Sequence, residues 1–333
     1  MTVSDPVDGL RAGMRAVVRH RIDHGVTDAL GDVVAIDPET ISVRTRLGVV
    51  TVERVAVVAA KEVPPKPTRR GASHLAISME GLERIMADGW PPVERAELGG
   101  WLLRAAGGFT GRANSVLPLG NPGVPLSEAV ERCESWYDER GLRHLFCLFG
   151  PAGFRAADDP LGVILLGRDY EQFNRALVLT AATAILPSET APTSGARILL
   201  ESAPSQRWWD AWSAGDARVA PADEADVAPS VARTVMTSSP DQLFASLEVE
   251  GAVIGVARVA FAQAWAGVFA LRVEPEHRRR GIAIQLMGAL ADASRARGIR
   301  SMYLQVTEDN PAARGLYGRL GFSVHHEYFY LGR

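Results

Sequence analysis

The chain has 333 residues, 47% of them hydrophobic and 23% charged, with a formal net charge of −3. Those values describe a globular protein of two or three domains and exclude a global electrostatic pull toward nucleic acid or anionic lipid. Cys133 and Cys147 make no disulfide framework, and no Cys/His spacing reads as zinc, so no metal is expected. The N-terminus lacks an apolar h-region, and runs such as Ala176 to Leu186 are too short to span a bilayer. A cytoplasmic location without a membrane partner is therefore expected.

Residues 1–62 read as a small all-β unit. Met14 to Arg19, Ala29 to Ile36, Thr40 to Thr45 and Gly48 to Val52 are short and valine-rich, with turns at Asp37-Pro38-Glu39 and Leu47-Gly48. Strands this short and this closely spaced suggest an SH3-like β-barrel. Its basic residues, Arg15, Arg19, His20, Arg21, Arg44 and Arg46, are offset by acidic ones, so nucleic-acid binding is not favoured. Residues 63–73, with Pro64, Pro65 and Pro67, predict an extended linker.

Residues 74–190 read as a second unit. A helix is predicted over Ser73 to Ala87, broken by Trp90-Pro91-Pro92. Gly100 to Ala106 and Arg112 to Pro118 read as strands, and Ser127 as the N-cap of a helix to Glu139 that Gly141 stops. His144 to Phe149 and Val163 to Leu166 read as buried strands. The polar stretch Phe109 to Ser115 is a candidate lining for a pocket between units, since ligands favour such interfaces.

Residues 195–333 carry the clearest pattern. Strands are predicted at Arg197 to Glu201, Leu243 to Val249, Val253 to Phe261, Gly267 to Val273, Ser301 to Thr307 and Ser323 to Leu331. Ser205 to Trp212 reads as a helix with three tryptophans, Trp208, Trp209 and Trp212, expected to pack against the preceding unit. Between Val273 and a helix over Gly281 to Arg297 lies Glu-Pro-Glu-His-Arg-Arg-Arg-Gly. A strand, a turn and a helix start with free N–H groups make an anion site, to which Arg278, Arg279 and Arg280 add charge. Gly281 allows close backbone approach, and Ala283 leaves room. Asn310 caps a further helix with Pro311 at its first position, and Gly321 ends it.

Two segments carry a family resemblance. Arg278, Arg279, Arg280, Gly281, Ile282 and Ala283 match the pattern Q/R-x-x-G-x-G/A. Asn310, Ala313, Leu316, Tyr317, Gly321 and Phe322 match Asn-x-x-A-x-x-L-Y-x-x-x-G-F. In that order the chain resembles the GNAT superfamily of N-acetyltransferases, over about residues 195–333. It is similar to actinobacterial-type multidomain members with an N-terminal SH3-like domain. The resemblance implies an α/β fold with a mixed sheet and splayed strands, preceded by a degenerate GNAT-like half at 74–190 on the acceptor side. It implies acetyl-CoA as co-substrate, its pyrophosphate on residues 278–283 and its pantetheine arm along Leu271, Arg272 and Val273, near Asn310, Ala313 and Tyr317. It further implies acetyl transfer to an amine, on a protein or a small molecule, by direct attack in a ternary complex. Tyr317 would be the general acid to the leaving thiolate. The strand before the phosphate turn lacks the glutamate many members carry, which leaves Glu248, Glu250 and Glu274 as candidates for the general base. The other reading is a CoA-binding adaptor without turnover.

Overall fold

The computed structural model describes residues 5–23, 25–63, 73–188, 195–214 and 229–333. The expected linker at 63–73 lies almost entirely outside them. Five strands come first: β1 (Arg15–Ile22), β2 (Gly25–Ile36), β3 (Thr40–Thr45), β4 (Gly48–Glu53) and β5 (Val57–Glu62). Ala16, Val18, Val33, Ile41, Val43 and Val52 point to one buried face, the period-2 pattern of strands covered on one side. Asp37 Oδ1 accepts from the amides of Glu39 and Thr40, at 2.9 and 2.7 Å, and so sets the β2–β3 turn. The order is β4-β3-β2-β1-β5. Among the described residues this sheet is open, with no pairing of β4 to β5, so the expected closed barrel is not seen.

The next segment supplies α1 (Met79–Gly89), β6 (Glu94–Leu98), β7 (Trp101–Ala105), α2 (Leu126–Asp138), β8 (Leu145–Gly150), α3 (Pro160–Leu166) and β9 (Glu171–Ala182). Ser78 caps α1 by accepting from Gly81 N at 3.0 Å. Two expectations fail here. Val163 to Leu166 is the end of α3 and not a strand, because Asp159 caps a helix at Gly162 N, 3.0 Å, with Pro160 at its first position. Residues 112–118 hold a 3-10 turn and isolated bridges at Val116 and Leu117 instead of a strand. α2 starts at Leu126, just ahead of the expected cap Ser127.

The last segment supplies β10 (Ala196–Glu201), α4 (Gln206–Ser213), α5 (Pro229–Thr237), β11 (Gln242–Val249), β12 (Ala252–Ala262), β13 (Trp265–Val273), α6 (Ile282–Ala296), β14 (Ser301–Thr307), α7 (Pro311–Arg319) and β15 (Ser323–Gly332). Its six strands and β8 and β9 of the middle segment form one eight-stranded mixed sheet, β10-β11-β12-β13-β14-β9-β15-β8, while β6 and β7 pair as a separate hairpin. β9 lies between β14 and β15, with Leu177 opposite both Val306 and Glu327. Strand β9 is buried throughout Ala176 to Ala181, as a strand covered on both faces must be. One face carries α6, α7 and a core of Leu179, Leu286, Leu290, Leu304 and Tyr317. The other carries α1 and α4 over Val178, Phe244, Phe269, Tyr303 and Tyr328. Trp208 is fully buried there, its indole N–H donating to Ala245 O at 3.1 Å, and Trp212 meets Phe109 edge to face at 6.5 Å. The tryptophans thus pack the middle and last segments together, as expected. Among the described residues, no helix is long and apolar enough to cross a membrane.

Candidate active site

The centre of the sheet opens where the parallel pairing of β13 with β14 stops. β13 and β14 pair from Trp265–Ser301 to Val268–Leu304 and then part. At the same level β13 bulges against β12: Phe269 faces Arg258, Arg272 faces Val256, and Ala270 takes a φ of 54°. The extra residue bends β13 away from β14. Leu271, Arg272 and Val273 therefore keep β12 on one side and leave the other free to bond a ligand in the manner of a strand.

At the far end of β13 the chain turns through Pro275–His277 into α6. Gly281 is the N-cap with φ 81°, and Arg279 also lies in the left-handed region at 65°. The amides of Ile284 and Gln285 both donate to Gly281 O at 3.0 Å. Those of Gly281, Ile282 and Ala283 find no acceptor among the described residues, so successive N–H groups face outward at the positive end of a helix. A side chain at Gly281 would meet no protein atom within 4 Å. The turn is a cradle with open space above it and suits a diphosphate. Arg278 bonds Val273 O at 3.2 Å and braces the turn, while Arg279 and Arg280 stay exposed. Ile282 is buried under the helix and Ala283 half-buried.

Asn310 caps α7 by accepting from Ala313 N at 3.0 Å. Tyr317, one face further along, is buried in the core under α6 and α7, its ring 5.9 Å from Phe322. Its hydroxyl makes no hydrogen bond among the described residues. Burial pushes the phenol up to about 12, which keeps its proton on at neutral pH.

The three carboxylates do not gather at the opening. Glu248, on β11, is held by Arg197 at 2.7 Å and Arg207 at 3.8 Å, and it faces Val253, well along β12 from the bulge. Glu274 pairs with Arg272 at 2.8 Å beside the phosphate turn, and Glu250 is exposed in the β11–β12 turn.

On the α1 side of the opening is a small cavity lined by Glu83, Met86, Trp90, Arg104, Arg112 and Gln305, among others. Gln305 is the first β14 residue past the last β13 pair, so this cavity borders the parting strands. Arg112 bonds Gln305 Oε1 and lies over Trp90 and Phe269, 5.1 and 5.6 Å from the ring centres. Of the stretch 109–115, Arg112 lines this cavity. Glu83 escaped the sequence reading. It is buried on α1 among Leu82, Ile85 and Met86, and it accepts from His326 Nε2 at 2.9 Å. A glutamate on the apolar face of an amphipathic helix is the signal that could have found it.

The family described as "Probable histone acetyltransferase Rv0428c C-terminal" matches residues 78–331. The chain belongs to this family. It is an N-acetyltransferase of the GNAT type. It is 28% identical, over 75% of its own length and 96% of the relative's, to "Uncharacterized N-acetyltransferase YobR" of Bacillus subtilis. It is 37% identical to "Probable histone acetyltransferase Rv0428c" of Mycobacterium tuberculosis, over 39% of this chain and 42% of that one. Among solved structures, a GCN5-related N-acetyltransferase from Kribbella flavida superposes with a TM-score of 0.55 at 18% identity, over 76% of this chain and 94% of that one. A tandem GNAT protein from the clavulanic acid biosynthesis pathway does so with 0.53 at 12% identity, over 81% and 90%. These two likenesses show the fold. The matched family region begins before α1 and so covers the middle segment as well as the last.

Proposed function

We propose that the acetyltransferase takes its acetyl group from acetyl-CoA and transfers it to an amine by direct attack in a ternary complex. The observation that supports this most is the run of free amides at 281–283, in line with the unpaired edge of β13. The cradle suits the pyrophosphate, Arg279 and Arg280 its charge, and Leu271 to Val273 the amides of the pantetheine arm. Residues 195–333 would carry this site, and 74–190 would close the acceptor side. The N-terminal sheet, read as SH3-like from its short strands, takes no part in it.

In this reading the thioester lies in the opening between β13 and β14, where backbone N–H groups polarise its carbonyl. The amine nitrogen attacks the carbonyl carbon from the α1 side. The carbon–sulfur bond breaks, and Tyr317, still protonated at neutral pH, supplies a proton to the departing sulfur. The amine's own proton leaves to solvent or to a carboxylate on the acceptor side. Glu248 is poorly placed for that role, since two guanidinium groups hold its carboxylate. The test is release of free CoA thiol when the protein is given acetyl-CoA and a panel of amines. Thiol release coupled to acetylated amine supports transfer. Tight acetyl-CoA binding with no release for any amine would favour the adaptor reading.

A further inference from the structure

The acceptor side of the sheet holds more positive charge than it neutralises. Arg258, on β12, is fully buried. Its Nε donates to Gln242 Oε1 at 2.8 Å and its Nη1 to Gly89 O at 3.1 Å, while Nη2 is buried with no partner. The hydroxyl of Tyr303, on the neighbouring face, is buried and unpartnered as well. Arg112 approaches the same two rings as Arg258: Trp90 at 5.1 and 5.4 Å, Phe269 at 5.6 and 5.0 Å. Arg104, buried beside the cavity, donates from its guanidinium to the carbonyl and the hydroxyl of Ser115. Among the described residues none of these three guanidinium groups has a carboxylate partner. The acidic groups nearby are engaged elsewhere, Glu83 by His326 and Asp88 by Gln263 at 2.8 Å.

Two guanidinium groups over one aromatic pair repel each other, and although burial pulls Arg258 down to about 9, it stays charged at neutral pH. Burying charge without a counter-ion costs several kcal/mol. Arg104 and Arg112 line the small cavity beside the parting strands, where a bound anion would supply the missing counter-ion. The planar fork of an arginine matches a carboxylate with two parallel hydrogen bonds.

We propose that the acceptor binds over the α1-side cavity, which as it stands has room for about one water, and that it is an amine bearing a carboxylate, such as an amino acid. Arg112 holds the carboxylate, with Arg258 behind it. The amine lies toward Glu83 and the opening between β13 and β14. This rests on the acetyl-CoA reading above, because that reading makes the opening the place where an amine must arrive.

The experiment titrates the full-length protein, saturated with CoA, with a set of N-acetyl amino acids differing in side chain and with the matching neutral amides. These probes are the products the proposal implies. At least one acid is expected to bind ten-fold or more tightly than its amide. Arg112→Gln should abolish that difference, and Arg112→Lys should keep part of it, with CoA binding unchanged in both. Equal binding of acid and amide by the wild-type protein, or no binding of any acid, overturns the proposal without reference to the variants. Faster thiol release with amines lacking a carboxylate would overturn it too. A separate titration of the wild-type protein with acetyl-CoA keeps the two readings apart: if acetyl-CoA fails to bind, the underlying reading falls first.

Discussion

At the scale of single residues, Tyr317 and Gly281 make opposite demands on a substitution. Tyr317→Phe keeps the ring against Phe322 and removes a hydroxyl that bonds nothing among the described residues, so stability and acetyl-CoA affinity should hold. Turnover should fall about 10²-fold, the scale of a lost general acid. A Phe variant that transfers acetyl at the wild-type rate, with chemistry limiting, would remove Tyr317 from the mechanism. Gly281 has a φ of 81° and open space where a Cβ would point. Gly281→Val should therefore cost about 1–3 kcal/mol in backbone strain and fill the cradle. Acetyl-CoA affinity measured by calorimetry should drop by more than ~10-fold, or roughly 1.4 kcal/mol, in protein whose circular dichroism shows it folded. Unchanged affinity would place the pyrophosphate elsewhere. Both positions were legible in the sequence because each sits in a motif a few residues long. Glu83, Arg258 and Tyr303 were not. Their meaning depends on what faces them across the sheet.

At the scale of elements, α1 couples the N-terminal sheet to the acceptor cavity. Its first amide, Met79 N, donates to Glu62 Oε1 of β5 at 3.2 Å, while Glu62 Oε2 is buried without a partner. Burial, with Glu80 close by, raises the Glu62 carboxyl to about 7 from an ordinary 4.5. The folded chain therefore keeps a proton that the unfolded chain releases. That contribution to stability is full below about pH 4.5 and is lost as the pH rises through 7. A shift of about 2.5 pH units corresponds to roughly 3 kcal/mol at most. Glu62→Gln, which still offers an oxygen to Met79 N, should flatten this slope and raise Tm relative to wild type at pH 8. Parallel Tm curves for the two proteins between pH 4.5 and 8 would show that Glu62 ionises freely. The α3 correction belongs to this scale too. Four apolar residues at Val163 to Leu166 suit a strand or a helix, and the Asp159-Pro160 start decided for the helix.

At the scale of the molecule, the sheet makes the middle and last segments one folding unit. β9 fills the gap between β14 and β15, and its Leu177 and Leu179 enter the core beneath α6 and α7. Residues 195–333 expressed alone would have two open strand edges and an unfilled core. That fragment should be molten or insoluble, with no protected amides at β14 and β15 in hydrogen exchange. A fragment with native-like protection there would mean that β14 and β15 pair directly without β9. The N-terminal sheet attaches differently, through side chains such as Arg11, which ion-pairs with Asp159 and donates to Phe149 O at 2.7 Å. Its sequence showed short strands but not whether they close. Closure depends on long-range pairing of edge strands, which alternation of valines does not encode.

The sequence alone determined the glycine turn into α6, the capped helix bearing Tyr317 and the family to which both point. Each lies within one contiguous stretch whose local backbone geometry its own residues impose: Gly281 at positive φ, Asn310 at a helix start. Tertiary structure decided the acceptor side. There Arg112, Arg258 and Glu83 come from three distant segments, and they meet because β9 enters the sheet, α1 packs across it, and β13 parts from β14. Charge left without a partner is a property of that convergence, since a guanidinium is unpaired only with respect to everything folded around it.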